Sequence, residues 1–119
     1  MCKKIKIADS ELPIMKVLWK NDGLTSPEIF SHIEGNVSTL KTLLRRLVDK
    51  GAVKIEEINS RTYRYSAVFS EEEYISYERK SFIKTVFGGS KEKMILNFIK
   101  EENITKEDLQ KLMDLIEKD

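Results

Sequence analysis

The sequence predicts a mainly α-helical protein carrying one small β-hairpin. Three observations predict it. Apolar residues recur at helical spacing through most of the 119 residues. Two short stretches near the middle, Val53-Lys-Ile-Glu and Tyr63-Arg-Tyr-Ser, alternate with period two instead. Polar and glycine-bearing breaks separate these segments.

The first helix is expected from about Asp9 or Ser10 to Trp19. Leu12, Met15, Leu18 and Trp19 share a face that Ile14 and Val17 flank, and Pro13 falls in the first turn, where a missing N–H costs least. Asn21-Asp22-Gly23 ends it. A second helix is expected to open at Thr25-Ser26-Pro27-Glu28, with Ser26 as N-cap, Pro27 as the first helical residue and Glu28 favoured by the helix dipole. Ile29, Phe30 and Ile33 form its apolar face, and Gly35-Asn36 breaks the chain. The third helix runs from about Ser38 to Lys50 on an inner stripe of Leu40, Leu43, Leu44, Leu47 and Val48, and Gly51 stops it. The two alternating stretches then pair around Ile58-Asn59-Ser60-Arg61. Three short helices closed by a hairpin make a winged helix-turn-helix, and residues 9–66 suffice for it.

Beyond this the chain turns helical again. Ser70-Glu-Glu-Glu73 is a capping box opening a helix to about Phe87, with a sparse stripe of Ile75, Phe82, Ile83 and Val86 beside Tyr74 and Tyr77. Gly88-Gly89-Ser90 interrupts it. Lys91 to Lys100 exposes Met94, Ile95, Phe98 and Ile99 on one side, and Thr105-Lys-Glu-Asp108 caps a last helix bearing Leu109, Leu112, Met113, Leu115 and Ile116. Residues 1–69 thus read as a winged-helix domain and residues 70–119 as a helical tail. Fifty residues in three amphipathic helices bury too little surface to be stable alone. They either fold back on the first domain or pair with a second copy, and the Gly-Gly joint with its wide apolar faces favours an isologous dimer.

Charge follows the same division. Residues 1–69 carry 12 Lys and Arg against 8 Asp and Glu, and residues 70–119 carry 9 against 12, although the whole chain is only +1. A basic front half suits a polyanion, and an acidic tail is repelled by one. The exposed side of the third helix offers Ser38, Thr39, Lys41, Thr42, Arg45 and Arg46 within about two turns. These types bond guanine N7 and O6, meet a thymine methyl or hold a phosphate. Thr25 and Ser26 at the start of the second helix are candidate phosphate contacts, and Arg61 and Arg64 on the hairpin are candidates for the backbone or minor groove. The bland alternative is a solvated helix face. Ion pairing explains little of it, because Asp49 is the sole acidic residue four positions from Lys41 or Arg45.

Other classes find no support. His32 is the single histidine, and no Cys pair or acidic cluster has metal-ligand spacing, so neither a metal nor a cofactor is expected. The five glycines form neither a phosphate-cradling loop nor a nucleophile elbow. An enzyme is therefore not expected. No apolar run approaches the ~20 residues of a membrane span. The opening Met-Cys-Lys-Lys-Ile-Lys lacks the apolar core of a secretory signal, and lone Cys2 fits a reducing cytoplasm, the expected location. A winged-helix scaffold for protein interactions, without specific DNA binding, is the alternative function.

Ser10-Glu11 with Ile14-Met-Lys-Val-Leu-Trp19, Ser38 through Ala52, Arg61-Thr-Tyr-Arg-Tyr65, Ser70-Glu-Glu-Glu-Tyr74, Lys80-Ser-Phe82 and Met94-Ile-Leu-Asn-Phe98 resemble the penicillinase repressor family, the BlaI/MecI group. The resemblance covers nearly the whole chain, in order and at matching spacing. It implies a homodimeric winged-helix repressor that binds palindromic operator DNA before beta-lactam resistance genes, with the third helix in the major groove and the tail making the dimer. It also implies a membrane sensor protease as partner. Cleavage of the repressor at an Asn-Phe bond matches Asn97-Phe98, although Phe98 belongs to the apolar stripe in any case. Lys41, Thr42 and Arg46 match the family's recognition helix. Arg45 replaces a smaller polar residue, Ala8 replaces a usual Ser, and the paired tail cysteines of a copper-sensing branch are absent.

Overall fold

A computed structural model describes residues 5–117; Cys2 lies outside them, as does the side chain of Ile116. The elements follow in the order α1 (Leu12–Lys20), α2 (Ser26–Phe30), α3 (Val37–Lys50), β1 (Val53–Asn59), β2 (Thr62–Ala67), α4 (Glu71–Phe87), α5 (Lys91–Glu101) and α6 (Lys106–Glu117). The fold is mainly helical with a two-stranded antiparallel hairpin.

The chain divides into two compact units, residues 1–77 and 78–119. The division falls inside α4 rather than at residue 69. Tyr74 and Tyr77 belong to the first unit because they pack against its core. Trp19 and Tyr74 lie ring to ring at 5.3 Å, and the Trp19 indole donates to the Phe69 carbonyl at 3.0 Å.

The first core is made by the helical stripes. Ile14, Met15 and Leu18 of α1, Ile29 of α2 and Leu40, Leu43, Leu44 and Leu47 of α3 are buried together with Ala52, Val53 and Phe69. Phe30 and Ile33 are half-buried against them. Helix α1 starts later than expected, at Leu12. Glu11 is its N-cap but makes no side-chain cap, because its carboxylate is turned inward. Only 1% exposed, Glu11 accepts the Ala8 N–H at 2.9 Å and pairs with Lys50 at the far end of α3. The same Lys50 ammonium donates to the Lys6 carbonyl at 2.8 Å. Such a link compensates a buried carboxylate that would otherwise be costly. Asn36 caps α3 by accepting the Ser38 N–H at 2.8 Å, and Gly51 closes it in the left-handed conformation (φ 85°).

The strands reach further than their alternation predicts, through Ile58 and Asn59 on β1. The register pairs Val53 with Ala67, Ile55 with Tyr65 and Glu56 with Arg64, and shifts between Glu57 and Asn59. That irregularity absorbs Ile58, which breaks the period-two pattern. Leu24 adds a bridge to Tyr65, its N–H and carbonyl bonding the Tyr65 backbone at 3.1 and 2.7 Å.

In the second unit, Ser90 caps α5 by accepting the Lys93 N–H, and Thr105 with Asp108 forms a reciprocal cap at α6. Phe82 and Phe87 meet edge to face at 5.5 Å. Helix α5 buries no residue.

Candidate nucleic-acid interface

The interface is assembled from α3, the α2 start and the hairpin. Opposite the buried leucines of α3, Ser38, Thr39, Lys41, Thr42, Arg45 and Arg46 are all exposed. Their exposure follows from the helical period: four leucines consume one face and leave the small polar and basic residues on the other. Thr42 spends its hydroxyl proton on the Ser38 carbonyl at 3.1 Å, so it presents oxygen lone pairs and a methyl outward. Ser38 keeps its hydroxyl, but Asn36 already occupies its N–H. Asp49 is exposed in the last turn of the same helix. A carboxylate there repels phosphate, so the usable part of α3 runs from its start to Arg46.

Between α3 and the hairpin runs a groove of about 370 Å³ lined by Ser26, Lys41, Leu44, Arg45, Val48, Asp49, Ile55 and Tyr65. A second hollow of about 240 Å³ adjoins the α2 start and is lined by Thr25, Ser26, Pro27, Arg61, Thr62, Tyr63 and Tyr65. Ser26 and Tyr65 border both, so the fold brings the α2 start, the α3 cations and the hairpin tip to one side of the unit. Arg61 sits at that tip, in the two-residue turn, with its N–H held by the Asn59 side chain at 3.0 Å.

Thr25 and Ser26 exchange their expected parts. Thr25, not Ser26, is the N-cap of α2, because Glu28 stands three residues after it and completes a capping box. The Thr25 N–H and hydroxyl both donate to the Glu28 carboxylate, at 2.8 and 3.0 Å. Those bonds hold the Glu28 carboxyl below its usual range: the Thr25 N–H first, then the Thr25 hydroxyl, with the nearby Arg64 charge adding to them. An anion already fills this helix start, so Thr25 brings no free donor to a phosphate. Ser26, half-buried in the first turn, keeps its position on both grooves.

In the tail, Ile75, Phe82, Val86, Ile95, Phe98, Leu112, Met113 and Leu115 are exposed, and Leu109 is half-buried. Ile83 differs: it is 9% exposed and so is covered within the chain. One residue step turns it about 100° around α4 from Phe82, away from the open stripe. Asn97 and Phe98 lie exposed near the middle of α5. His32 is exposed in the turn after α2. Among the described residues no group of His, Cys, Asp and Glu converges on a metal position, and no helix is long and apolar enough to cross a membrane.

Residues 7–118 match the sequence profile described as penicillinase repressor. The chain belongs to the penicillinase repressor family. The penicillinase repressor of Bacillus licheniformis is 30% identical to it over 120 residues, covering 97% of this chain and 93% of that protein. The methicillin resistance regulatory protein MecI of Staphylococcus aureus (strain N315) is 27% identical over 121 residues, covering 98% and 97%. The solution structure of the DNA-binding domain of the repressor BlaI superposes with a TM-score of 0.53 at 31% identity, covering 62% of this chain and 94% of that domain. MarR from E. coli superposes at 0.52 with 18% identity, over 95% of this chain and 75% of that one, and shows the winged-helix fold alone. As a member of this family the chain is a DNA-binding transcriptional repressor and not an enzyme.

Proposed function

We propose that this penicillinase-repressor family member acts as a homodimer on a palindromic operator, controls beta-lactam resistance or related genes in the cytoplasm, and is inactivated by proteolysis in its tail. The observation that carries the DNA half of this reading is the α3 surface. Lys41, Thr42, Arg45 and Arg46 stand exposed beside the groove and hairpin tip that Ser26 and Arg61 border. A helix of this composition enters a major groove, and the hairpin then lies over the adjoining backbone or minor groove.

The open apolar stripes of α5 and α6 support the dimer. Leu112, Met113 and Leu115 gain little from exposure to water, and a second copy supplies the missing cover. Two linked recognition helices then meet half-sites about one DNA turn apart, and the linkage multiplies affinity. Cleavage at Asn97-Phe98 acts on that linkage. A protease needs an extended segment, and α5, with no buried residue, opens locally at small cost. The family resemblance supplies the candidate protease, a membrane sensor acylated by a beta-lactam.

Fluorescence anisotropy of a labelled duplex from the protein's own upstream region tests the reading, titrated at two salt concentrations against excess random duplex. Tight binding that weakens steeply with salt and resists the competitor is expected. Lys41→Ala and Arg46→Ala are expected to weaken it without lowering Tm. Binding that random duplex removes would instead favour the scaffold alternative.

A further inference from the structure

Arg61 and Arg64 look alike in the sequence, yet the fold surrounds them differently. Arg61 is at the exposed tip and makes no ion pair among the described residues. Arg64 points to the other side of β2 from Tyr63 and Tyr65. There its guanidinium donates to the Gly23 carbonyl, a long contact at 3.4 Å, while the Ser66 hydroxyl oxygen accepts the Gly23 N–H at 3.0 Å. Between those two contacts Tyr65 exchanges backbone hydrogen bonds with Leu24. Gly23 holds φ 71°, a conformation L side chains rarely adopt, and a Cβ there would lie 3.9 Å from Arg64 Cδ. Arg64 is exposed and, like Arg61, makes no ion pair among the described residues, but its neighbours are acidic: Glu56 is its register partner across the hairpin, and its charge adds to the lowering of the Glu28 carboxyl.

We propose that Arg64 is a positioning residue rather than a phosphate contact: with Ser66 it clamps β2 onto the turn between α1 and α2, and so sets where Arg61 meets the duplex. The proposal rests on the repressor reading and deepens it. A cation committed to the Gly23 carbonyl oxygen, with Glu56 opposite it in register, releases few counterions on binding DNA. A cation at the bare tip releases about one. Loss of the clamp frees the hairpin to swing, so its cost falls on binding that needs Arg61 in register, and non-specific attraction survives.

The test measures operator and random-duplex affinity of the full chain across a salt series. Wild type, Arg61→Ala, Arg64→Ala and the double variant are compared, all well below their melting temperatures. Arg61→Ala removes one cation from each of the two chains on an operator and is expected to reduce the slope of log affinity against log salt by about 2. Arg64→Ala is expected to leave that slope within about 0.3 of wild type, yet lower the ratio of operator to random binding about fivefold. In the Arg64→Ala background, removing Arg61 is expected to cost much less than it does in wild type. A slope reduced by about 2 in Arg64→Ala, with the two losses additive, would overturn the proposal and make Arg64 a phosphate contact of both chains. Should wild type show no operator preference at all, the repressor reading itself falls. The clamp is then decided without DNA, by a thermal-unfolding cycle of Arg64→Ala and Ser66→Ala, in which coupled losses support it and additive ones reject it.

Discussion

The two compact units solve the problem of burial in opposite ways. In the first, Ile14, Met15, Leu18, Ile29 and Leu47 are fully enclosed, and an ion pair between buried Glu11 and partly exposed Lys50 ties the α1 start to the α3 end. In the second, α5 buries nothing, and Leu115 is 62% exposed. The tail also carries apolar stripes at helical spacing; what differs is that most of them face solvent. The first unit is self-sufficient and can hold a rigid reading surface. The second leaves an apolar surface open to solvent, and that surface is what the proposed dimer would cover.

The largest expected effect comes from spoiling that surface. The double variant Ile95→Asp with Leu112→Asp is expected to drop the light-scattering mass from about twice the 13.9 kDa of one chain to a single chain. Operator affinity should fall by about 100-fold or more, because the linkage of two half-sites is lost. An unchanged mass would remove these residues from the interface. In the first unit, Leu47→Ala should destabilise by about 2–5 kcal/mol in denaturant unfolding, from lost burial and the cavity left behind. Leu115→Ala, by contrast, should stay within about 0.5 kcal/mol for that unit.

Next in size is the Glu11–Lys50 pair. Lys50→Met leaves a carboxylate 1% exposed with the Ala8 N–H as its remaining donor. A cost of about 2 kcal/mol is expected in thermal melts, below the range for a fully buried pair because the Lys50 side chain is one-third exposed. A neutral result would mean that Glu11 finds another partner.

The smallest effect is in pH. Glu28 and Glu73 are held below the usual 4.5, Glu28 chiefly by the Thr25 N–H and Glu73 chiefly by the Ser70 N–H. Carboxyls depressed in the folded state bind fewer protons there than in the unfolded chain. The stability they add is therefore present above about 4.5 and is lost as pH falls through their lower folded values. Tm should drop with acidification below that point, and less steeply in Glu28→Gln/Glu73→Gln. Parallel curves for the two proteins would show that the caps contribute nothing.

Much of the first unit was legible because local chemistry and burial agree there. Four leucines at helical spacing, Gly51 after them and alternation on either side of Asn59-Ser60 leave one reasonable fold. The capping box at Ser70 and Glu73 was readable for the same reason, and it forms, with bonds of 2.9 and 3.1 Å. Misplacements arose where two local signals compete. Thr25 and Ser26 are both good caps, and the carboxylate three residues on decides between them. What the sequence hid is long-range. Glu11 and Lys50 are 39 residues apart with no shared pattern, and nothing local distinguishes Arg61 from Arg64 before the Asn21–Leu24 turn is laid against β2. Tyr74 and Tyr77 read as tail residues, but both pack against the first core, Tyr74 on the rings of Trp19 and Phe69.

The central claim is that a self-sufficient reading unit is made effective by a tail that joins two copies. Sedimentation velocity of the full chain with a palindromic upstream duplex tests it most directly, with random duplex as competitor. The account predicts a competitor-resistant complex of two chains per duplex, reduced to weak binding by Ile95→Asp with Leu112→Asp. One chain per duplex with undiminished affinity, or no preference for the upstream sequence, would contradict it.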